Sequence, residues 1–435
     1  MGGAGRSEIM SKMDIMVVGG GGREHAIIKK LKESKNAGRI YCLPGNGGIA
    51  ADCECVDIKA TDIEGVVNFA KEHKVDFAVV APDDPLVLGA VDELHKIGVK
   101  CFGPEKSAAI IEGSKVFSKN FMKRHGIPTA RYEVFSRPED ALEYLKTAAF
   151  PSVVKADGLA LGKGVLICED YSAAEQAVKS IMSDKIFGDS GNNVVVEEFL
   201  TGPEVSVLCF CDGKTVRPMV SSMDHKRALD GDRGLNTGGM GTVAPNPYYT
   251  ESIQKECMDK IFIPTVNGLA EEGRPFRGCL YFGLMLTPDG PKVIEYNCRF
   301  GDPETQVVLP LLKGDLLEIM LACEEGRLDE VLVEFMTGAA ACVIIASGGY
   351  PKEYKKGIRI DLPQTDAVIY HSGTALKDGE LVTAGGRVLG VTAAGADLKR
   401  ALRSAYAAVE KISFDGAFYR KDIGQRALKA AADKE

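Results

Sequence analysis

The stretch 293–300 has the residue pattern that most clearly suggests chemistry. Glu295, Asn297 and Arg299 alternate there with Ile, Tyr and Cys. Because successive side chains of a β-strand point to opposite faces, the three polar groups share one face. A carboxylate and an amide oxygen suit Mg²⁺, which bridges phosphates, and an arginine beside them stabilises charge on a transferring phosphoryl group. The pattern predicts a strand that supports phosphoryl transfer, and a half-exposed strand without a ligand is the alternative.

A glycine-rich stretch flanked by lysines follows another predicted strand. Lys155 ends that strand, and Gly162, Lys163 and Gly164 precede the next β-branched run. Backbone N–H groups and ammonium groups in this arrangement can surround phosphate oxygens. The spacing is not that of a P-loop. The stretch predicts a phosphate-binding lid, and a hairpin with solvated lysines is the alternative.

A third predicted strand has the features of an adenine site. A run of valines ends in Glu197, Glu198, Phe199 and Leu200, and Glu204 follows shortly afterwards. A strand end offers backbone N–H and C=O groups to an adenine edge beside an apolar wall, while a following carboxylate can accept ribose hydroxyls. An acidic strand end that faces water is the alternative.

The glycine turn at 19–22 follows the first predicted strand and precedes a predicted helix. It matches a dinucleotide fingerprint only partly, because Glu24 stands where the third glycine belongs. Backbone N–H groups at a helix N-terminus favour a phosphate, and Arg23 adds a cation. A phosphorylated sugar fits this turn, and with it Gly22, as well as a nucleotide does.

Two charged loops, 224–241 and 301–305, are rich in turn-forming residues. Long ordered loops of this composition are usually functional. His225 lies in the first loop, but a lone loop histidine is more often a structural hydrogen-bonding residue. We therefore assign no chemistry to His225.

The elements that position these groups predict a multidomain α/β and α+β protein. Strands alternate with helices in residues 13–110, which indicates a Rossmann-like parallel sheet with ligands at the carboxyl ends of its strands. Two α+β units are predicted at 111–200 and 201–336, and a small α+β unit at 337–435.

Composition limits the class of protein. The 435 residues include 53 Lys and Arg against 61 Asp and Glu, a net charge of -8, so no basic excess indicates nucleic-acid binding. The 12 cysteines lack metal-ligand spacing and fit a reducing cytoplasm. Without an apolar run long enough for a bilayer, we expect a cytoplasmic protein with small-molecule substrates.

Several of these segments, in this order, resemble the motifs of the phosphoribosylamine–glycine ligase family over nearly the whole chain from Met13 onward. The matching segments are 21–25, 44–46, 112–115, the loop after Lys155, 224–227, 236–241 and 295–304. The resemblance implies an ATP-grasp fold in which ATP lies between the two middle α+β units. It further implies that residues 111–200 form the lid of the ATP-grasp unit and that residues 201–336 form its core.

The resemblance also implies roles for individual residues. ATP would be bound by Lys115, Lys155, the 197–200 strand end and Glu204, and Mg²⁺ or Mn²⁺ by Glu295 and Asn297. The strand before Glu295 lacks the acid that many ATP-grasp relatives use, so we expect only two protein ligands.

The amine substrate is expected at the amino-terminal unit. The resemblance implies that Gly22, Asn46 and the loop at Asp83 help to bind phosphoribosylamine, with Asp224, Lys226 and Asp302 near the acceptor. Asp83 stands where the family usually has Glu.

The implied reaction joins glycine to 5-phosphoribosylamine, giving glycinamide ribonucleotide, ADP and phosphate through glycyl phosphate in purine biosynthesis. Arg299 would stabilise the transferred charge, and the protein would act as a monomer. Three alternatives stay open: an ATP-grasp ligase for another amine, a nucleotide-binding sensor without turnover, and a nicotinamide oxidoreductase.

Overall fold

The computed structural model describes residues 12–159 and 164–433. The amino-terminal part alternates strands and helices: β1 (Met13–Gly19), α1 (Gly22–Leu31), β2 (Ala37–Pro44), β3 (Glu54–Cys55), α2 (Ile63–Glu72), β4 (Phe77–Val80), α3 (Asp83–Leu88), α4 (Ala90–Lys96), β5 (Lys100–Phe102) and α5 (Lys106–Gly113). The five strands form one parallel sheet in the order β3-β2-β1-β4-β5. This confirms the predicted parallel sheet.

Both faces of the central strand β1 are buried, which explains its continuous apolar run. Ile15 and Val17 pack with residues of α1, whereas Met16 and Val18 pack with residues of α2 and α4. Strands covered on both faces need apolar side chains at successive positions. The glycine turn after β1 therefore lies at the carboxyl edge of the sheet.

The second part begins at Ser114, whose side chain caps the next helix by accepting the Phe117 N–H at 3.0 Å. Its elements are α6 (Lys115–Arg124), β6 (Tyr132–Phe135), α7 (Pro138–Leu145), β7 (Ser152–Ala156), β8 (Val165–Cys168), α8 (Tyr171–Val178) and β9 (Val194–Glu198). The strands form an antiparallel sheet in the order β6-β9-β7-β8. Together with α7 and α8, this sheet has an apolar core of its own.

The third part carries the longest strands. Its elements are β10 (Glu204–Asp212), β11 (Val216–Pro218), β12 (Met223–Asp224), β13 (Arg227–Leu229), β14 (Arg233–Asn236), β15 (Gly241–Ala244), α9 (Glu251–Cys257), α10 (Ile263–Glu271), β16 (Arg277–Thr287), β17 (Gly290–Asn297), α11 (Thr305–Val308) and α12 (Leu316–Glu325). An antiparallel sheet has the order β11-β10-β16-β17. The strands β16 and β17 form an antiparallel hairpin that turns at Pro288 and Asp289.

The carboxyl-terminal part is a small α+β unit, as predicted. Its elements are β18 (Ala339–Ala346), β19 (Val368–His371), β20 (Thr374–Lys377), β21 (Glu380–Thr383), β22 (Arg387–Gly395), α13 (Leu398–Val409) and α14 (Gln425–Ala432). Its main sheet has the order β12-β15-β18-β22-β19. The strands β12 and β15 come from the preceding part, so the loop 224–241 is rooted in the carboxyl-terminal sheet.

The β6–β9 sheet has a hydrophobic core separate from the core that the amino-terminal sheet shares with β10 and β16. Two apolar clusters each combine residues of the amino-terminal sheet with residues of β10 and β16, and one of them extends to β18. The β6–β9 sheet instead packs around its separate core. No helix in residues 12–159 and 164–433 has both the length and the apolar character to cross a membrane.

Candidate active site

A cavity of about 630 Å³ lies between the β6–β9 sheet, the β10–β17 sheet and the amino-terminal part. Its wall contains fifteen of the residues that the sequence singles out: Asp83, Lys115, Lys155, Gly164, Glu197, Glu198, Phe199, Leu200, Glu204, Asp224, Lys226, Glu295, Asn297, Arg299 and Asp302. Two further predicted residues, Gly162 and Lys163, lie outside the described residues. The fold thus brings the predicted ATP, metal and acceptor residues to one cavity.

At one end of the cavity, Glu197 lies between two lysines. Its carboxylate is 2.9 Å from Lys119 Nζ and 2.9 Å from Lys155 Nζ, and all three side chains are 3–5% exposed. Burial lowers the pKa of Lys119 to about 8, although Glu197 opposes this shift. Two ammonium groups beside one carboxylate leave an excess of positive charge, which suits a polyphosphate.

Apolar side chains next to this cluster form a slot. Val153, Ile167, Phe199, Leu200 and Met285 line it. A planar base needs such walls together with backbone groups at its edge, and the 197–200 segment supplies that backbone. The arrangement can therefore hold an adenine.

The two acidic residues near this slot have different surroundings. The Glu198 carboxylate accepts a hydrogen bond from Arg131 Nε at 2.7 Å and lies 3.6 Å from Lys292 Nζ. Glu204 lies at the cavity wall, with Oε2 3.7 Å from Lys226 Nζ. Glu198 is thus engaged in ion pairs, so its main chain is the part that can contact a ligand.

Lys115 lies at the first position of α6 and is bonded to the start of the glycine-rich stretch. Its Nζ donates to the Gly158 carbonyl at 2.9 Å, and its N–H donates to the Asp157 carbonyl at 2.8 Å. The Asp157 side chain accepts a hydrogen bond from Ser114 Oγ at 2.8 Å. The helix and the glycine-rich stretch are therefore held together beside the cavity.

The strand β17 ends at Asn297, so the prediction of a strand extending to residue 300 was wrong beyond that point. Past Asn297, the Cys298 N–H donates to Glu112 Oε2 at 2.7 Å, which removes it from pairing with β16. Arg299 nevertheless stays next to Asn297, as the predicted polar face requires. Arg299 Nη2 donates to Asn297 Oδ1 at 3.1 Å.

Cations surround Glu295 on this polar face. Lys226 Nζ is 3.6 Å from Glu295 Oε1. Burial raises the pKa of Glu295, but Lys226, Lys155 and Lys115 outweigh that effect and lower it. The carboxylate is therefore ionised and able to bind a cation.

Arg299 is held by two acids from the amino-terminal part. Its Nη2 is 2.8 Å from Glu112 Oε1 and 3.7 Å from Asp83 Oδ2. Burial alone would lower the pKa of Arg299, but Glu112 and Asp83 raise it. The guanidinium is consequently charged and fixed in orientation.

A group of buried acids lies at the other end of the cavity. Glu304 Oε1 accepts a hydrogen bond from Tyr281 Oη at 3.1 Å, and Tyr281 Oη lies 2.7 Å from Ser206 Oγ. Asp224 Oδ1 accepts the His225 N–H at 2.7 Å. Burial raises the pKa of both acids, and Glu304 raises that of Asp224 further.

Asp302 differs from these acids because cations face it. Its Oδ2 is 3.5 Å from Arg387 Nη2, and its Oδ1 accepts a hydrogen bond from Gln306 at 2.8 Å. Burial raises the pKa of Asp302, but Arg387 and Arg23 lower it by more. Asp302 is thus an anion beside two arginines.

A second cavity, of about 430 Å³, lies at the glycine turn after β1 and shares Arg23 and Asp302 with the first. Glu24 folds back onto this turn: its carboxylate accepts the Gly21 N–H at 2.6 Å and the Arg23 Nε–H at 2.7 Å. An internal anion therefore occupies a donor that a dinucleotide pyrophosphate would need. This geometry disfavours the nicotinamide oxidoreductase.

Asn46 and Gly22, both predicted to contact the amine substrate, lie beside this turn without lining either cavity. Asn46 Nδ2 donates to the carbonyls of Gly20 and His371 at 2.9 and 2.8 Å, while Oδ1 accepts the Gly48 N–H at 2.9 Å. Its amide therefore holds the turn against the carboxyl-terminal part.

Gly22 permits a close approach between parts of the chain that are distant in sequence. A Cβ at this position would lie 2.6 Å from both Gln306 Nε2 and Ser372 Oγ. Any larger residue would push the start of α1 away from these groups.

Glu112, Lys119, Glu304 and Arg387 are among the cavity-lining residues to which the sequence assigned no role. Lys119 had a usable signal, because it is four positions after Lys115 on one helix and so shares its face. Glu112 and Glu304 belong to the segments 112–115 and 295–304, in which other residues were given roles. Arg387 had no sequence signal.

The donor set fits a hard cation. Within residues 12–159 and 164–433, no group of three or more His, Cys, Asp or Glu could hold a metal ion. Glu295 and Asn297 instead present a carboxylate and an amide oxygen from one face of β17. Two such oxygens suit Mg²⁺, which completes its shell with water and phosphate oxygens.

Comparison with known proteins agrees with this geometry. Residues 13–112, 113–305 and 340–426 match the N domain, the ATP-grasp (A) domain and the C domain of phosphoribosylglycinamide synthetase. A phosphoribosylamine–glycine ligase of Caldanaerobacter subterraneus is 50% identical over 413 residues, 94% of this chain and 99% of the relative. The human trifunctional purine biosynthetic protein adenosine-3 is 47% identical over 95% of this chain, which spans 42% of that protein.

Solved structures show the same fold. The crystal structure of phosphoribosylamine–glycine ligase from Thermotoga maritima has a TM-score of 0.84 and 38% identity, and covers 94% of this chain and 100% of its own. Biotin carboxylase from Campylobacter jejuni has a TM-score of 0.74 at 14% identity, over 95% of this chain and 94% of its own, which shows a shared fold alone. From its domains, its relatives and its structure, the chain belongs to the phosphoribosylglycinamide synthetase family.

Proposed function

We propose that this chain joins glycine to 5-phosphoribosylamine with ATP, giving glycinamide ribonucleotide, ADP and phosphate in purine biosynthesis. One observation carries the proposal: the polar face of Glu295, Asn297 and Arg299 lies in the same cavity as the buried lysines, and that cavity adjoins a second one at the glycine turn. The first cavity is suited to phosphoryl transfer, and the second to a phosphorylated sugar amine.

ATP occupies the end of the cavity next to the β6–β9 sheet. Its adenine lies in the apolar slot against the 197–200 backbone, and Glu204 accepts ribose hydroxyls. Lys115 and Lys155 bind phosphate oxygens, and Gly162, Lys163 and Gly164 contribute further to ATP binding. Lys119 adds a third cation, because it shares Glu197 with Lys155.

Glu295 and Asn297 hold Mg²⁺ or Mn²⁺ through their oxygens. When bound, the ion neutralises charge on the ATP phosphates. Lys226 lies 3.6 Å from Glu295, so it adds positive charge on the acceptor side of the same phosphates. These residues thus orient the terminal phosphate toward the acceptor.

In the first step, a glycine carboxylate oxygen attacks the γ-phosphorus of ATP. The bond between the γ-phosphorus and the β–γ bridging oxygen breaks. ADP leaves, and glycyl phosphate forms. Arg299 stabilises the charge on the transferred group, because its guanidinium is fixed by Glu112 at 2.8 Å and remains protonated. The protein supplies alignment and charge, with no covalent bond to a side chain.

In the second step, the amine nitrogen of phosphoribosylamine attacks the carbonyl carbon of glycyl phosphate. The bond from that carbon to the phosphate oxygen breaks, and phosphate leaves with the amine proton. Gly22, Asn46 and Asp83 shape the amine site, and Asp224, Lys226 and Asp302 line the acceptor end. The amine substrate extends from the glycine-turn cavity past Asp302 into the main cavity.

Further properties of the chain form part of the same proposal. The functional units are residues 13–110 for the amine substrate, 111–200 for the ATP lid, 201–336 for the ATP-grasp core and 337–435 for the carboxyl-terminal domain. The protein acts as a monomer in the cytoplasm.

The test is ADP formation with ATP, Mg²⁺, glycine and freshly generated phosphoribosylamine, with each component omitted in turn and the product identified by mass. The proposal predicts turnover only with the complete mixture, and a product with the mass of glycinamide ribonucleotide. Turnover with a different amine in place of phosphoribosylamine would support the other ATP-grasp ligase. ATP binding without turnover would support the sensor.

A further inference from the structure

The β13–β14 hairpin (residues 225–240) carries part of the cavity wall but has little apolar support. Lys226, Asn236 and Gly238 line the cavity. The strand β14 is nevertheless exposed along its whole length, and Leu229 and Leu235 are each 51% exposed. Polar contacts must therefore determine where this hairpin lies.

One buried arginine from the carboxyl-terminal part makes most of these contacts. Arg420 is 2% exposed. Its Nη1 donates to Asp232 Oδ1 at 2.9 Å and to the Arg227 carbonyl at 3.0 Å. Its Nε and Nη2 donate to the two carboxylate oxygens of Asp422 at 2.8 and 2.9 Å. The guanidinium thus joins β13 and the turn of the hairpin to the segment before α14.

Neighbouring groups extend this connection. Asp422 Oδ2 also accepts the Gly231 N–H at 2.8 Å, and Asp230 Oδ1 accepts the Lys421 N–H at 2.8 Å. Beside the hairpin root, the Gly424 N–H donates to His225 Nε2 at 3.1 Å. The segment 420–424 therefore contacts the hairpin at its tip and at its root.

The segment after β14 also contacts the carboxyl-terminal part, through Arg387. Its Nη1 donates to the Gly238 carbonyl at 2.6 Å and to the Asp302 carbonyl at 2.7 Å. Arg387 lines the cavity, whereas Arg420 does not. Arg420 therefore acts on substrates through the residues it holds, among them Asp232, which itself lines the cavity.

We propose that Arg420 is a positioning residue for the acceptor part of the reaction, acting through Asp232 to hold the β13–β14 hairpin against the cavity. The inference rests on the proposed function. A planar guanidinium that binds two carboxylates and a carbonyl fixes position and direction at once. A small displacement of the hairpin moves Lys226, and misplacement of about 1 Å can cost about a hundredfold in rate.

The experiment compares the full chain with Arg420→Gln, Asp232→Asn and the double variant in steady-state assays that vary each substrate. Affinity for a non-hydrolysable ATP analogue is measured separately by calorimetry. We expect Arg420→Gln to lower kcat/KM for glycine and for phosphoribosylamine by about 10- to 100-fold. We expect a much smaller loss of ATP-analogue affinity, because Lys226 is on the hairpin but Lys115, Lys155 and Glu204 lie outside it.

Asp232→Asn keeps the buried Arg420–Asp422 pair, so it tests the contact even if Arg420→Gln unfolds. We expect a smaller loss in the same parameters, and a double variant within about twofold of Arg420→Gln, since both changes break the Arg420–Asp232 contact. Arg403→Gln, on the exposed face of α13, is the control and should match the parent.

Parental activity in folded Arg420→Gln or Asp232→Asn would overturn the positioning role. A loss of ATP-analogue affinity as large as the loss of kcat/KM would overturn it as well. An inactive parent chain would instead reject the proposed function on which the inference rests.

Discussion

The two ends of the main cavity are built in different ways. At the nucleotide end, one helix and the antiparallel β6–β9 sheet supply Lys115, Lys119, Lys155 and Glu197, and lysines outnumber the carboxylate between them. At the acceptor end, acids and cations are mixed, and they come from several parts of the chain. Cations such as Arg387, from the carboxyl-terminal sheet, keep an acid such as Asp302 ionised.

This difference implies that the two ends can be disturbed separately. The β6–β9 sheet packs around its own core, whereas the acceptor loops 224–241 and 301–305 adjoin cores that combine residues from different parts of the chain. Changes at the nucleotide end should therefore alter ATP binding, and changes at the acceptor end should alter the use of glycine and the amine. Arg299 lies between them and should affect the chemical step.

The largest expected effect is that of Arg299→Ala. Loss of one preorganised electrostatic contact costs about 2.7–4 kcal/mol of transition-state stabilisation, so kcat should fall about 100- to 1000-fold. Glu112 would lose its buried partner, so a lower melting temperature is also expected. Arg137→Ala, on the exposed N-cap of α7, is the control. Normal turnover by a folded Arg299→Ala variant would refute the role of Arg299.

Lys155→Met should weaken ATP binding and leave the acceptor end in place. A hydrogen bond to a charged group contributes about 1.5–3 kcal/mol, which corresponds to roughly a 10- to 150-fold increase in the Kd for ATP. Calorimetry measures the Kd, and KM for glycine should change by less than about threefold at saturating ATP. If the Kd for ATP stayed the same, Lys155 would not contact the nucleotide.

Asp302→Asn provides the opposite test. Removal of this anion beside Arg387 and Arg23 should raise KM for phosphoribosylamine by about tenfold, equivalent to about 1.4 kcal/mol. The Kd for ATP should remain within about twofold of the parent. An effect confined to ATP would show that the two ends are not separate as described.

The smallest expected effect is a pH dependence of ATP binding. Burial lowers the pKa of Lys119 to about 8, so its ammonium is protonated below that pH and neutral above it. ATP affinity should therefore fall as pH rises through about 8, by about fivefold for a contact of roughly 1 kcal/mol. Lys119→Arg keeps its charge in this range and should flatten the profile. A parent profile that is equally flat would contradict the assignment.

Much of the fold was predictable because it depends on local patterns. The buried strand β1, the capped helix α6 and the β16–β17 hairpin each carry their signal within a few residues. The strands that carry Lys155 and Glu197 were predictable for the same reason, since runs of valine and the glycine content that follows mark them. Lys119 was missed although helical spacing from Lys115 places it on the same face.

Long-range pairing explains what the sequence could not predict. The short strands β12 and β15 join the carboxyl-terminal sheet, where Gly241 pairs with Val343. Strands of two and four residues have no readable periodicity. Arg387, on β22 of the same sheet, contacts Asp302 across 85 positions of sequence. The amide of Asn46 is likewise bonded to a backbone carbonyl more than three hundred positions away.

The most direct test of the central claim follows oxygen from glycine to phosphate. Glycine labelled with ¹⁸O in both carboxylate positions is turned over with ATP, Mg²⁺ and phosphoribosylamine, and the phosphate is analysed by mass spectrometry. Transfer through glycyl phosphate predicts one ¹⁸O atom in each phosphate and one in the amide of glycinamide ribonucleotide. Phosphate without ¹⁸O, formed during normal product synthesis, would contradict attack by the glycine carboxylate on the γ-phosphate.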